Sequence, residues 1–264
     1  MSQLRLAING AAGRMGRRLV ALGTADPELK IVAAVEWEGC AHLGEDAGTL
    51  AGVGDIDLPI TVGLEVDADV MIDFSLPSGA EAAVKTCLAN ELPLVLATTG
   101  LSAEQVAMVG EAAKKIPLLW APNMSLAVNL TMKLAQMAAK ALVDQDADVE
   151  ILERHHRFKE DSPSGTALKF GEIIAAEMGQ AQHRHGREGR CGARPHDEIG
   201  YHAIRVGDDA GQHTIVFGML GETVELTVRA SNRDCYACGA FAAARYLAGR
   251  PAGLYSMADV LGLE

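Results

Sequence analysis

Two adjacent histidines, His155 and His156, stand among Arg154, Arg157 and Lys159 in a chain whose formal net charge is -12. An imidazole titrates near neutrality and can give or take a proton, while an ammonium is a compact cation that adds a second donor. The plain alternative for any such charge run is a solvated basic loop. The next few residues weigh against it. Ser162-Pro163-Ser164-Gly165-Thr166 reads as a helix start, with Ser162 as N-cap and Pro163 in the first position. Ser164, Gly165 and Thr166 offer small side chains and open backbone N–H groups, which can hold an anion at the positive end of a helix. Proton donors beside an anion site imply acid–base chemistry.

A second constellation lies near the start. Leu4–Asn9 is a short apolar run that ends in Gly10-Ala11-Ala12-Gly13-Arg14-Met15-Gly16, and helical spacing follows through Leu19, Val20 and Leu22. Lys30–Val35 is the next apolar run, closed by Glu36 twenty residues past Gly16. Strand, glycine turn, helix, strand and acidic residue are the parts of a dinucleotide site. The glycines let the backbone approach a pyrophosphate, and the carboxylate accepts from a ribose. A glycine triplet alone would be weak, and Glu36 alone could be an exposed residue after a strand; the two together are more specific.

The positioning elements follow from periodicity. Strands are predicted at Asp69–Phe74, Pro93–Ala97 and Pro117–Trp120, alternating with helices at about 77–90 and 104–115. This is a doubly wound parallel sheet. After Asn123 the pattern changes. Leu126, Leu130, Leu134, Met137, Ala138 and Ala141 share one helix face. A strand is predicted at Asp148–Glu153, a helix from Pro163 to Met178, and an extended loop from Gln180 to Ile199. Three strands are predicted at Ala203–Val206, His213–Met219 and Glu222–Ala230, the last with Val224, Leu226 and Val228 facing a core and Glu225, Thr227 and Arg229 outward. The tail, Gly239–Leu247, reads as a helix. The expected fold is α/β, an N-terminal Rossmann-type doubly wound parallel sheet plus a second α+β domain with a mixed sheet.

Composition narrows the function. Apolar residues make up 49 % of 264 residues, which supports a real core and argues against disorder. The acidic balance and only 4 % aromatics argue against a nucleic-acid partner. No apolar run reaches the roughly 20 residues that span a bilayer, and the first strand, starting at Leu4, leaves no room for a signal peptide, so a cytoplasmic protein with no membrane partner is expected. The five cysteines are scattered and odd in number, as for reduced thiols. Cys235 and Cys238 could form a redox pair, but packing near a helix start is the simpler role. No metal site is expected, since the histidines show no zinc-like spacing.

The segment Glu153–Ala167 closely resembles the signature of the dihydrodipicolinate reductase family of bacterial lysine biosynthesis, Glu-x-His-His-x-x-Lys-x-Asp-x-Pro-Ser-Gly-Thr-Ala. The resemblance extends from Leu6 to Leu261 and includes the loop Gly-x-x-Gly-Arg-Met-Gly in full. It implies a nucleotide domain at 1–125 and 234–264, with a substrate and oligomerisation domain at 126–233. It implies NAD(P)H-dependent reduction of a cyclic dicarboxylate. His155 would be the principal proton donor or acceptor and Lys159 the second donor. His156 would be a substrate ligand, and Ser164, Gly165 and Thr166 the clamp on a carboxylate. Beyond Gly10–Gly16 and Glu36, it assigns Ala97-Thr98-Thr99 and Ala121-Pro122-Asn123-Met124 to the cofactor. The family usually has glycine where this chain has Ala97, and often alanine and phenylalanine at Pro122 and Met124. Many members carry an arginine after the glutamate, facing the 2′-phosphate of NADPH. Here that position is Trp37, so NADH is expected to be preferred and NADPH accepted, with Arg14 and Arg17 partly compensating. A homotetramer built through the second sheet is implied as well. Two readings from other classes stay open on the residues alone: a dinucleotide sensor, and an oxidoreductase acting on an aldehyde or hydroxy acid.

Overall fold

The structure is a computed structural model that describes residues 3–263. Strand β1 (Leu4–Asn9) leads through the glycine turn into α1 (Arg14–Ala25), followed by β2 (Leu29–Val35), α2 (Ala47–Ala51), β3 (Ile60–Thr61), β4 (Val70–Asp73), α3 (Pro77–Ala89), β5 (Leu94–Leu96), α4 (Ala103–Ala113) and β6 (Pro117–Trp120). Then come α5 (Leu126–Leu142), β7 (Asp148–His155), α6 (Gly165–Met178), β8 (Gln182–His185), β9 (Glu198–Arg205), β10 (Gln212–Met219) and β11 (Glu222–Arg229). The chain ends with α7 (Asp234–Leu247), β12 (Gly253–Tyr255) and α8 (Met257–Leu261). Two compact units result, Met1–Leu126 with Arg233–Glu264, and Ala127–Asn232.

In the first unit the seven strands are all parallel, in the order β12-β6-β5-β4-β1-β2-β3. The strands read as continuous apolar runs because both faces are covered. Leu6 and Ile8 pack with α1 and α7 on one side, while Ala7, Leu94 and Leu96 pack with α3 and α4 on the other. Strand order reverses between β1 and β4, which opens the crevice where doubly wound sheets bind ligands. Helix α7 starts at Asp234, five residues earlier than its apolar spacing predicts. Its polar first turn carries Asp234, whose carboxylate takes a two-pronged hydrogen bond from Arg18 on α1 at 2.8 and 2.9 Å.

In the second unit the strand order is β11-β10-β7-β9-β8, with β10 antiparallel to both neighbours and β7, β9 and β8 parallel. Val149, Ile151, Ile199, Tyr201, Ile215 and Phe217 form a core with Val128 and Ala135 of α5 and Phe170 and Ile174 of α6. Strand β11 follows the predicted alternation, but as an edge strand it buries only Val228 fully. The expected extended loop at 180–199 is corrected. Gln182–His185 forms an edge strand, and β9 begins at Glu198. The edge strand is wholly exposed, so no apolar alternation marks it. Between these strands, Arg187 and Arg194 tie the excursion to Glu150 of β7.

Glycines test this packing. A Cβ on Gly239 of α7 would lie 1.7 Å from the Met124 carbonyl oxygen, whereas one on Gly110 of α4 would meet nothing within 4 Å. Gly239→Ala should lower stability by about 1–3 kcal/mol through overpacking. Gly110→Ala should raise it by roughly 0.5–1 kcal/mol through helix propensity. Denaturant melts of the two variants check both signs.

Candidate functional site

The first unit builds its site from the loops at the carboxyl ends of β1, β2, β4, β5 and β6. Gly10 has φ +77, and a Cβ there would crowd the Phe74 backbone at 3.2 Å, so the loops after β1 and β4 touch at the switch point. A Cβ on Gly16 would sit 2.1 Å from the Gly10 carbonyl oxygen, and one on Gly13 3.1 Å from it. Side chains there would run into the turn's own backbone, so the glycines let the loop close tightly, a shape that suits a pyrophosphate. Glu36 reaches the same loop, its Oε1 accepting from the Ala12 N–H at 2.9 Å. Ala11 and Ala12 are buried, Met15 is half-buried, and Arg14 is exposed on the first turn of α1. Arg17 is held by the Ala12 carbonyl at 2.7 Å. Trp37 is 69 % exposed, and its ring lies over Gly39.

Beside this loop is a pocket of about 240 Å³. It gathers Ala97, Thr98, Thr99, Pro122 and Met124 with Phe74, Ser75 and Tyr236. The first five are predicted cofactor residues. Phe74, Ser75 and Tyr236 went unread as site residues, although Phe74 closes a predicted strand and Ser75 follows it, a position that could have marked them. Asn123 turns back to accept from the Ser125 N–H at 2.9 Å, and Ala121 is buried. Buried Asp73 ties three loops together, accepting from Asn9 at 2.6 Å, from the Ser75 N–H at 3.3 Å and from the Thr98 hydroxyl. The residues present therefore fit a dinucleotide. Cys235 and Cys238 lie on the first turns of α7, with Cys235 half-buried and Cys238 exposed. Burial pushes the Cys235 thiol up, which disfavours a reactive thiolate.

The second unit brings the signature residues to the end of one sheet face. Strand β7 runs two residues further than predicted, so His155 is its last residue and shares a face with Glu153. Glu153 Oε2 accepts a hydrogen bond from His155 Nδ1. Arg205, opposite His155 on β9, donates to both Glu153 oxygens at 2.9 and 2.8 Å, and the Ser164 N–H adds a bond of 3.1 Å. Burial raises the Glu153 carboxyl, but the bonds from His155 and Arg205 outweigh it and leave it at about 2. His213 of β10 sits edge-on to His155, with ring centroids 5.2 Å apart, and its Nε2 lies 3.1 Å from the Ser164 hydroxyl. Burial, then the neighbouring His155, lowers His213 to about 4.

The N-cap of α6 is Ser164, not Ser162, and Pro163 precedes the helix. The Ser164 hydroxyl accepts the Ala167 N–H at 3.2 Å, which fixes the first turn beginning at Gly165 and Thr166. Lys159 pairs with Asp161 at 2.7 Å. Burial raises the Asp161 carboxyl, yet Lys159 and the Gly165 N–H hold it below its ordinary value. His156 keeps a buried Nδ1 with no partner, a polar atom of the kind a ligand satisfies. Glu153 belongs to the signature, but its part in the site, and those of Arg205, Asp161 and His213, depend on strand register and loop geometry and were not legible. Among the described residues, no group of three or more His, Cys, Asp or Glu is placed to hold a metal ion, and no helix is long and apolar enough to cross a membrane.

Comparison with known proteins shows the family. The family model for the dihydrodipicolinate reductase N-terminus matches residues 4–124, and the C-terminus model matches 127–261. The chain belongs to the dihydrodipicolinate reductase family. It is an NAD(P)H-dependent oxidoreductase. A 4-hydroxy-tetrahydrodipicolinate reductase from Rhodopirellula baltica is 56 % identical over 99 % of this chain and 97 % of its own. One from Alkalilimnicola ehrlichii is 48 % identical over 98 % and 99 %. Among solved structures, a dipicolinate-bound dihydrodipicolinate reductase from Paenisporosarcina matches with a TM-score of 0.76 and 26 % identity, over 96 % of this chain and 97 % of that one.

The paired carboxylates make stability depend on pH. Glu153 falls from an ordinary 4.5 to about 2, and Glu150, where burial is outweighed by Arg187, His202 and Arg194, does the same. A depressed carboxyl stabilises the fold above its unfolded value and loses that contribution as pH falls through the folded one. Melting temperature should therefore drop steeply between pH 4.5 and about 2. The destabilisation of Glu153→Gln relative to wild type should shrink over the same interval; an unchanged gap would contradict the assignment.

Proposed function

We propose that this chain reduces 4-hydroxy-tetrahydrodipicolinate, or its dehydrated form, to tetrahydrodipicolinate in lysine biosynthesis through diaminopimelate. The observation that carries the reading is the cluster at the end of β7, where an oriented histidine, a lysine and a helix start meet. Nicotinamide bound to the first unit supplies the hydride. His155 presents Nε2 and delivers the proton, the work for which an imidazole suits neutral pH. Lys159 is the second donor and its charge raises electron demand on the imine. Gly165 and Thr166 at the start of α6, with His156, clamp a carboxylate. Asp161 holds the Gly165 N–H and Lys159 in this structure, so a substrate carboxylate takes the place of one this chain already supplies.

Two finer readings accompany this. NADH is preferred and NADPH accepted, because exposed Trp37 brings no positive charge to the ribose end and Arg17 is engaged by Ala12. The molecule is a cytoplasmic homotetramer joined through the outer face of the second sheet. That face exposes Leu152 and Ile204 among polar neighbours, an apolar area suited to burial between identical copies. Light scattering at micromolar concentration should give four times the chain mass, and a monomer would exclude the tetramer.

The activity is tested by supplying the unstable substrate in situ from dihydrodipicolinate synthase, pyruvate and aspartate semialdehyde. NADH should be consumed only when all three are present; NADH consumption on simple aldehydes, or NAD+ reduction by hydroxy acids, instead would favour another oxidoreductase. The same assay reads cofactor choice. Trp37→Arg should improve kcat/KM for NADPH about tenfold, the worth of one contact of about 1.4 kcal/mol. A wild-type enzyme that strongly favours NADPH would overturn the preference.

A further inference from the structure

Glu153 is a buried carboxylate in the second unit through which neither hydride nor proton passes in the proposed reaction. Its side chain is 1 % exposed. Donors from three separate segments converge on it: His155 Nδ1 on its own strand, two arms of Arg205 on β9, and the Ser164 N–H ahead of α6. Arg205 is fixed in turn, donating also to the carbonyls of Ile204 at 2.8 Å and Asp161 at 2.6 Å. A carboxylate only accepts, so His155 Nδ1 must carry a hydrogen. The exchangeable position of the imidazole is then Nε2. That nitrogen lies beside Gly211, where a Cβ would come within 3.0 Å of it, so a glycine keeps the approach open.

Other charged or titratable groups around His155 have partners or places of their own. His213 comes from β10, and Lys159 and Asp161 belong to the loop after β7 and pair with each other. Arg154 points to the other sheet face and holds Asp209 at 2.6 Å. Among the described residues, only Glu153 meets the His155 ring with a hydrogen bond. Sharing Glu153 between an arginine and a histidine orients the ring without leaving an unpaired negative charge beside the proton donor.

We propose that Glu153, locked by Arg205, is the positioning residue that keeps a hydrogen on His155 Nδ1, so that Nε2, turned to the substrate, is the nitrogen that takes up a proton from solvent, giving the imidazolium, and then delivers it. This rests on the reading of His155 as proton donor. Its oxygens are taken up by His155, Arg205 and the Ser164 N–H, so its effect on the proton step runs through His155. In the wild-type enzyme, the ¹⁵N spectrum of labelled histidine, with the His155 signals assigned by their loss in His155→Gln, should show a protonated Nδ1 and a bare Nε2 in the neutral ring. Glu153→Gln should mix the tautomers, because an amide both donates and accepts. It should lower kcat on the order of 10²–10⁴-fold while KM stays within about threefold. In a His155→Gln background the same substitution should change turnover less than about twofold, since its target is gone. Arg205→Lys keeps the charge and loses the fork, and should move kcat the same way by a smaller factor. An Nε2–H tautomer in the wild type overturns the proposal whether or not the variants fold. So does a Glu153→Gln enzyme that keeps turnover while His155→Gln loses it, or an equal loss with and without His155. If His155→Gln itself keeps turnover, the proton role of His155 fails first and the positioning role falls with it.

Discussion

A carboxylate almost wholly removed from water has to be neutralised where it stands, and at Glu153 that requirement organises the second unit. The neutralising guanidinium comes from Arg205, which faces His155 across the parallel pair β7–β9. A slip of one residue in that pair would send Arg205 to the opposite face and leave the charge stranded. The register also places small Ala203 opposite Glu153, leaving room for the arginine fork. Through the Ser164 N–H the same carboxylate holds the start of α6 against the sheet, and so fixes where the N–H groups of Gly165 and Thr166 point. His155 and the start of α6, the proposed proton donor and anion clamp, are thereby set relative to each other by one buried group.

The first unit reaches a similar end by other means. Buried Asp73 gathers the loops after β1, β4 and β5, and the glycine turn closes against Phe74. Backbone shape, rather than charge, does most of the positioning there. Ala97, Pro122 and Met124, the departures from the family's usual residues, line the pocket with small or apolar side chains.

Much of this was legible in the sequence, for identifiable physical reasons. The strands of the parallel sheet are short apolar runs because both faces are buried, and the glycine turn follows one of them directly. The signature residues from Glu153 to Thr166 are contiguous, so their chemistry could be read without the fold. What escaped reading depends on distant parts of the chain or lacks periodicity. Gln182–His185 is a strand only because it pairs with β9, and none of its residues is buried. Arg205 and His213 look like ordinary strand residues until pairing sets them around Glu153. The early start of α7 depends on the Asp234–Arg18 pair, which joins positions far apart in sequence. Ser162 was the wrong N-cap because two serines flank Pro163, and only the turn geometry chooses between them.

Turnover of His155→Gln bears most directly on whether the end of β7 is where the proton is delivered. The substitution keeps size and polarity and removes the titrating ring. Steady-state kcat should fall about 10²–10⁴-fold, the usual worth of a placed general acid. KM, and the affinity for the unreactive planar diacid pyridine-2,6-dicarboxylate, should hardly move, since Lys159, His156, Gly165 and Thr166 still hold the carboxylates. Turnover close to wild type would contradict this and move the proton role elsewhere, with Lys159 the first residue to examine.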